Sequence, residues 1–145
     1  MFNKFKMLFG LIIALFANLC LGKTPTFWAG GSGSPFLYPM CVSSDGSVVA
    51  GGGGIWQDGF INYLGLGHAR GVSADGSVVV GDSESQAFRY ENGVTTLLGV
   101  LPSGTFSVAF DVSSDGNVIV GYSSSSSGLQ AFRWENNIMT GLGYL

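Results

Sequence analysis

The chain has 145 residues, of which 24 are glycine and 18 serine, 46% are hydrophobic, 13% aromatic and only 10% charged. That length accommodates one domain, and the aromatic content separates the chain from Gly/Ser-rich linkers, which lack the apolar surface to build a core. A formal charge of −3 and a pI near 4.7 leave no basic stripe for a phosphate backbone, which excludes nucleic acid as the expected partner.

In chain order, the first element is a leader. Lys4 and Lys6 precede an uncharged apolar stretch from Met7 to Leu21, the pattern of a secretory signal, too short for the roughly 20 residues of a spanning helix. A signal over 1–22 is expected, cut before Lys23 because Cys20 and Gly22 put small residues at the −3 and −1 positions. The cut leaves four basic residues against nine acidic ones, net −5, and a secreted or surface-bound product with no further hold on the membrane. Acylation at Cys20 is disfavoured by Ala17-Asn18-Leu19. Cys41 then stands alone, so no internal disulfide can form, and it reads as a small buried apolar residue.

Beyond the leader, one phrase occurs three times: VSSDGSVVAG over 42–51, VSADGSVVVG over 72–81 and VSSDGNVIVG over 112–121. A second phrase alternates with it, AFRYENGVTTLLGVL over 87–101 and AFRWENNIMTGLGYL over 131–145. Weaker copies run from Ile55-Trp56-Gln57-Asp58-Gly59 into Tyr63-Leu64-Gly65, and from Phe27-Trp28 into Phe36-Leu37-Tyr38. Alternation puts Phe132 and Trp134 on one strand face and Ala131 and Arg133 on the other. Asp58-Gly59 and Asn92-Gly93 supply residues that tolerate the positive φ of tight hairpins. Asp45-Gly46, Asp75-Gly76 and Asp115-Gly116 predict a further hairpin before each β-branched run. Val78-Val79-Val80 is apolar on both faces, so that strand should be covered on both sides.

Frequent glycine argues against helices, at about 1 kcal/mol for each one inside a helix. The expected fold is therefore all-β, built from modules of four short antiparallel strands: 26–51, 54–81, 86–121 and a half module 130–145. Within 23–145 this describes a partial β-propeller of about three and a half four-stranded blades, with a β-solenoid as the alternative and a two-sheet sandwich third. Closed propellers usually need at least four blades, so a fragment of a longer array is expected, or self-association through open blade edges.

The alternation of AFRW-E-N-G, LG-x-L and VS-x-DG-x-V-x-VG resembles the HAF family of extracellular repeats. Gln86 and Gln130 stand where the family has histidine, and the match runs from Ala87-Phe88 and Ala131-Phe132 into the downstream phrases. It covers about 26–145 and is strongest from Gly71 onward. The resemblance implies an exported bacterial protein, often the passenger part of an autotransporter-like surface protein, with no established enzymatic activity. No series of alternating strands here would build a membrane barrel.

Candidate sites are few. Asp45, Asp75 and Asp115 each offer one carboxylate followed by Gly46, Gly76 or Gly116, which suits a turn residue and falls short of a calcium loop's ligand set. The Asp-box of sialidases matches only in part, since it separates the aspartate from the glycine. Trp28, Trp56, Phe88, Tyr90, Phe132 and Trp134 are the expected repeat core. His68 is expected on a solvent-facing loop without a catalytic partner. Arg89 and Arg133 should pair with Glu91 and Glu135 or with a neighbouring blade's carboxylate, the alternative being a ligand groove near the ring axis. Gly51 to Gly54 reads as a flexible connection and Ser123 to Ser127 as a mobile loop tip. No nucleophile elbow, phosphate loop or metal cluster occurs, so neither catalytic residue nor cofactor nor metal is expected. The resulting expectation is a non-enzymatic module binding an unidentified extracellular or surface ligand, with a secreted propeller-type hydrolase or a degenerate remnant as alternatives.

Overall fold

The computed structural model describes residues 38–144, so the expected leader, Cys20 and Trp28 lie outside the described residues. The described residues are all-β: β1 Pro39–Val42, β2 Val48–Gln57, β3 Phe60–Val72, β4 Val78–Ser83, β5 Gln86–Glu91, β6 Val94–Gly99, β7 Ser107–Val112, β8 Ile119–Ser125, β9 Gly128–Glu135 and β10 Ile138–Tyr144. Each strand pairs antiparallel with its chain neighbour, in a six-stranded sheet β1 to β6 and a four-stranded sheet β7 to β10.

The tight hairpins fall where short residues accept positive φ. Asp58 and Gly59 (54° and 83°), Asn92 and Gly93 (52° and 80°), and Asn136 and Asn137 (52° and 63°) occupy the central pairs, the requirement of a type I′ turn. The β4–β5 turn uses Glu84 and Ser85 at 45° and 83° and has no such signature in its composition.

Three equivalent bulges shape the strands that enter the repeated phrase. Ala69 pairs with Gly81 and Gly71 with Val80, leaving Arg70 without an opposite residue; Met40 and Phe110 are skipped in the same way. A Cβ on Gly81 would lie 1.9 Å from the His68 carbonyl oxygen, and Gly51 and Gly121 meet Tyr38 and Val108 carbonyls at 2.1 and 2.0 Å. The glycine closing each phrase is therefore dictated by backbone approach at a bulge.

The repeated phrases mark three consecutive sets of strands, the first two within the six-stranded sheet and the third forming the four-stranded one. β3 runs for 13 residues: Phe60 to Tyr63 pair with β2, and Ala69 to Val72 with β4. Unit 1 is β1, β2 and the start of β3; unit 2 is the end of β3 with β4, β5 and β6; unit 3 is β7 to β10. The gap between sheets, Gly99 to Ser107, falls inside the expected module 86–121, because each Asp-Gly hairpin joins the aromatic hairpin that follows it. Among the described residues unit 1 contributes three strands. Gly52 pairs with His68 and Gly54 with Tyr63, so the glycine run is consumed in the ladder of β2, and the expected flexible connection is a strand.

Two apolar clusters cement the stack. Val48, Ala50 and Ile55 of unit 1 join Ala69 and Val79 of unit 2, with Val72 and Tyr90 against them. Val78, Val80, Ala87 and Leu98 of unit 2 join Ala109, Val112, Ile119, Phe132 and Trp134 of unit 3. Val78, Val79 and Val80 are all buried, because the two faces of β4 belong to different clusters.

Candidate functional site

The repeated turns form one column along the stack. In the first, the Asp45 Oδ1 accepts the Ser43 hydroxyl at 2.7 Å, the Ser47 amide at 3.0 Å and the Ser47 hydroxyl at 2.8 Å. Asp75 repeats this arrangement with Ser73 and Ser77, and Asp115 accepts from the Ser113 hydroxyl and from the amide and side-chain nitrogen of Asn117. The serine Oγ in turn accepts the amide of Val48, Val78 or Val118, each at 3.0 Å. These donors hold all three carboxyls down at about 2: the largest contribution comes from the Ser47 amide at Asp45, the Ser73 hydroxyl at Asp75 and the Ser113 hydroxyl at Asp115. A carboxylate so engaged is a poor general acid near neutrality.

Consecutive turns are bonded to one another. The Ser44 amide donates to the Ala74 carbonyl at 3.0 Å and the Ala74 amide to the Ser114 carbonyl at 3.1 Å. The Val48 side chain approaches Gly76 so closely that a Cβ there would lie 2.4 Å from it, and Val78 stands 2.7 Å from the equivalent point on Gly116. Glycine is needed at position 76 twice over, for its φ of 75° and for the valine of the preceding unit.

A cleft opens beside the column at each junction. Between units 1 and 2 it measures about 320 Å³ and is lined by Gln57, Asn62, Ser77, Tyr90 and Asn92 among others. Between units 2 and 3 it measures about 240 Å³, with Arg89, Asn117, Trp134, Asn136 and Asn137 on its walls. Ser77 and Asn117, Tyr90 and Trp134, and Asn92 and Asn136 hold equivalent places, so the cleft is a repeated feature. Its amides and turn groups can donate and accept hydrogen bonds to a neutral polar ligand.

Of the expected aromatic core, Phe88, Phe132 and Trp134 are buried, whereas Tyr90 is half-buried against the first cluster and Trp56 is half-buried outside both clusters. Arg89 and Arg133 reach Glu91 and Glu135 at 2.6 Å, and Arg89 also donates to the Gly116 carbonyl at 3.4 Å. Cys41 is half-buried, its thiol donating to the Ala50 carbonyl, and burial pushes its pKa up to about 11. Ser123 to Ser125 belong to β8 rather than to a loop tip. Ser123 is fully buried, accepting the Leu101 amide at 3.0 Å, because the β8–β9 ladder extends to Ser125.

His68 is solvent-exposed, as expected, but not on a loop. It lies within β3, opposite Asp82, with Nδ1 3.8 Å from that carboxylate, while Arg70 Nε donates to the same carboxylate at 2.5 Å. Arg70 also sits over the Phe110 ring, 5.5 Å from its centroid. The register of the Asp75-Gly76 hairpin by itself would set Asp82 opposite Ala69; the bulge at Arg70 moves it opposite His68, so the sequence carries no signal for this cluster. Among the described residues no group of three or more His, Cys, Asp or Glu side chains could hold a metal ion, and no helix is long and apolar enough to cross a membrane. No protein-family model matches the chain, and no curated protein matches it in sequence.

Proposed function

We propose that this chain is an exported, non-enzymatic β-repeat protein of the HAF type, serving as a cell-surface or extracellular binding or structural module. The observation that carries this reading is the use of the repeated aspartates: each carboxylate is engaged in its own turn, and the turns in a stacking column. The chemistry repeated along the chain is thereby directed at assembly of the fold. Units 2 and 3 are four-stranded antiparallel meanders packed face to face, which supports propeller-type blades over the parallel strands of a solenoid. The ligand, on this reading, is a neutral polar molecule or chain seated in the junction clefts, where amides outnumber charges.

The test is expression of the full chain with a C-terminal tag in a bacterial host, followed by fractionation and N-terminal sequencing of the exported product. Export with a new terminus at Lys23 is expected. An uncut product retained inside the cell overturns the export reading. Turnover of a glycoside or ester substrate by the purified protein, abolished by Asp75→Asn, overturns the non-enzymatic one.

A further inference from the structure

Unit 3 leaves open the face that units 1 and 2 each bury against the next unit. Val80 is fully buried and Leu98 is 8% exposed, yet their equivalents Val120 and Leu142 are 40% and 60% exposed. At the other end, unit 1 presents Val42, 58% exposed, where units 2 and 3 bury Val72 in part and Val112 almost wholly. Among the described residues, the two exposed faces thus match the two halves of a junction the chain already makes twice.

We infer that a second copy of this chain docks head to tail, its unit 1 stacking on unit 3 of the first. The inference deepens the proposed structural role and rests on the stacked-unit reading behind it. Three contacts of the internal junctions have counterparts at the ends. Ser44 and Ala74 amides each donate to the next turn; among the described residues the Ser114 amide has no partner, and it would meet the Ser44 carbonyl of the second copy. Val48 and Val78 each lie over the next turn glycine, and Val118 would lie over Gly46 of the second copy, where space for a Cβ is empty. Arg89 donates to the Gly116 carbonyl, and Arg133 holds the equivalent place for the Gly46 carbonyl of the second copy. The contact joins unlike faces, so it propagates until it closes into a ring or continues as a filament. It is also distinct from pairing of strand edges, since sheet faces carry it.

The experiment is sedimentation velocity of the full chain across a concentration series, with Val42→Glu and Val120→Glu variants each alone and mixed. The wild type should form species larger than a dimer or a closed ring. Each variant alone should be monomeric, and the equimolar mixture should form a dimer and nothing larger, because one sound interface is left between unlike partners. Leu142→Glu replaces Val120→Glu if that variant does not unfold cooperatively. Ser114→Pro, which removes the amide proton at a turn position that suits proline, should weaken association by about tenfold with unchanged thermal stability. A wild type that folds cooperatively and stays monomeric overturns the head-to-tail inference alone. A mixture that stays monomeric while the wild type assembles overturns it in favour of another interface. Loss of cooperative unfolding in the wild type overturns the stacked-unit reading with it.

Discussion

At each repeated turn a serine and an aspartate divide the work: the serine hydroxyl holds a valine amide, and the carboxylate holds the serine. The carboxyl is therefore a stability element with a defined pH window. The folded pKa of about 2 lies below the ordinary 3.8, so the contribution is complete above 3.8 and is lost as pH falls through 2. The thermal midpoint should drop between roughly pH 5 and pH 2, and the triple variant Asp45→Asn, Asp75→Asn, Asp115→Asn should begin lower and vary less over that interval. Circular dichroism melts across the range check this. Gly81→Ala should cost about 3 kcal/mol, since its Cβ would meet a backbone carbonyl that cannot rotate away, and chemical denaturation measures the loss. Glycine at the end of the repeated phrase was legible in the sequence. The carbonyl that requires it was not, because a bulge brings it there from a preceding strand.

Among the elements, the hairpins differ in how openly the chain announces them. Asp58-Gly59 and Asn92-Gly93 carry the residues a type I′ turn demands, whereas Glu84 and Ser85 adopt the same positive φ without them. That turn persists because β4 and β5 are paired along their whole length and Ser107 donates its amide to the Ser85 carbonyl at 3.0 Å. Ser85→Gly should therefore stabilise the protein by about 1 kcal/mol, read from the denaturation midpoint. β3 shows the opposite case. The tract around Leu64 and the one around Val72 read as separate strands with His68 between them, and ladder bonding to β2 and then β4 makes them one. The candidate cluster of His68, Arg70 and Asp82 follows from that join, so a reading that placed His68 on a loop could not assemble it.

For the molecule as a whole, equivalent residues differ in value according to where their unit sits. Val80 and Val120 occupy the same place in the repeated phrase, but only Val80 is covered by a following unit. Val80→Ala should cost about 2 kcal/mol and Val120→Ala less than about 0.5 kcal/mol in the monomeric protein, a contrast measurable by paired denaturation curves. Because one apolar cluster spans both sheets, the two sheets should also unfold in a single transition.

By itself the sequence determined the all-β class, the repeating turns, the hairpin positions carrying Asn or Asp with Gly, and the double burial of the three-valine strand. Those features are local: they depend on period, on turn chemistry and on which φ a residue tolerates. Only the tertiary structure decided where one unit ends and the next begins, that Gly51 to Gly54 and Ser123 to Ser125 are strand, and that Asp82 meets His68 and Arg70. Each of those depends on which strands pair and which faces meet. A repeated phrase records that a junction exists, but the identity of the surfaces across it is set by packing between residues far apart in the chain.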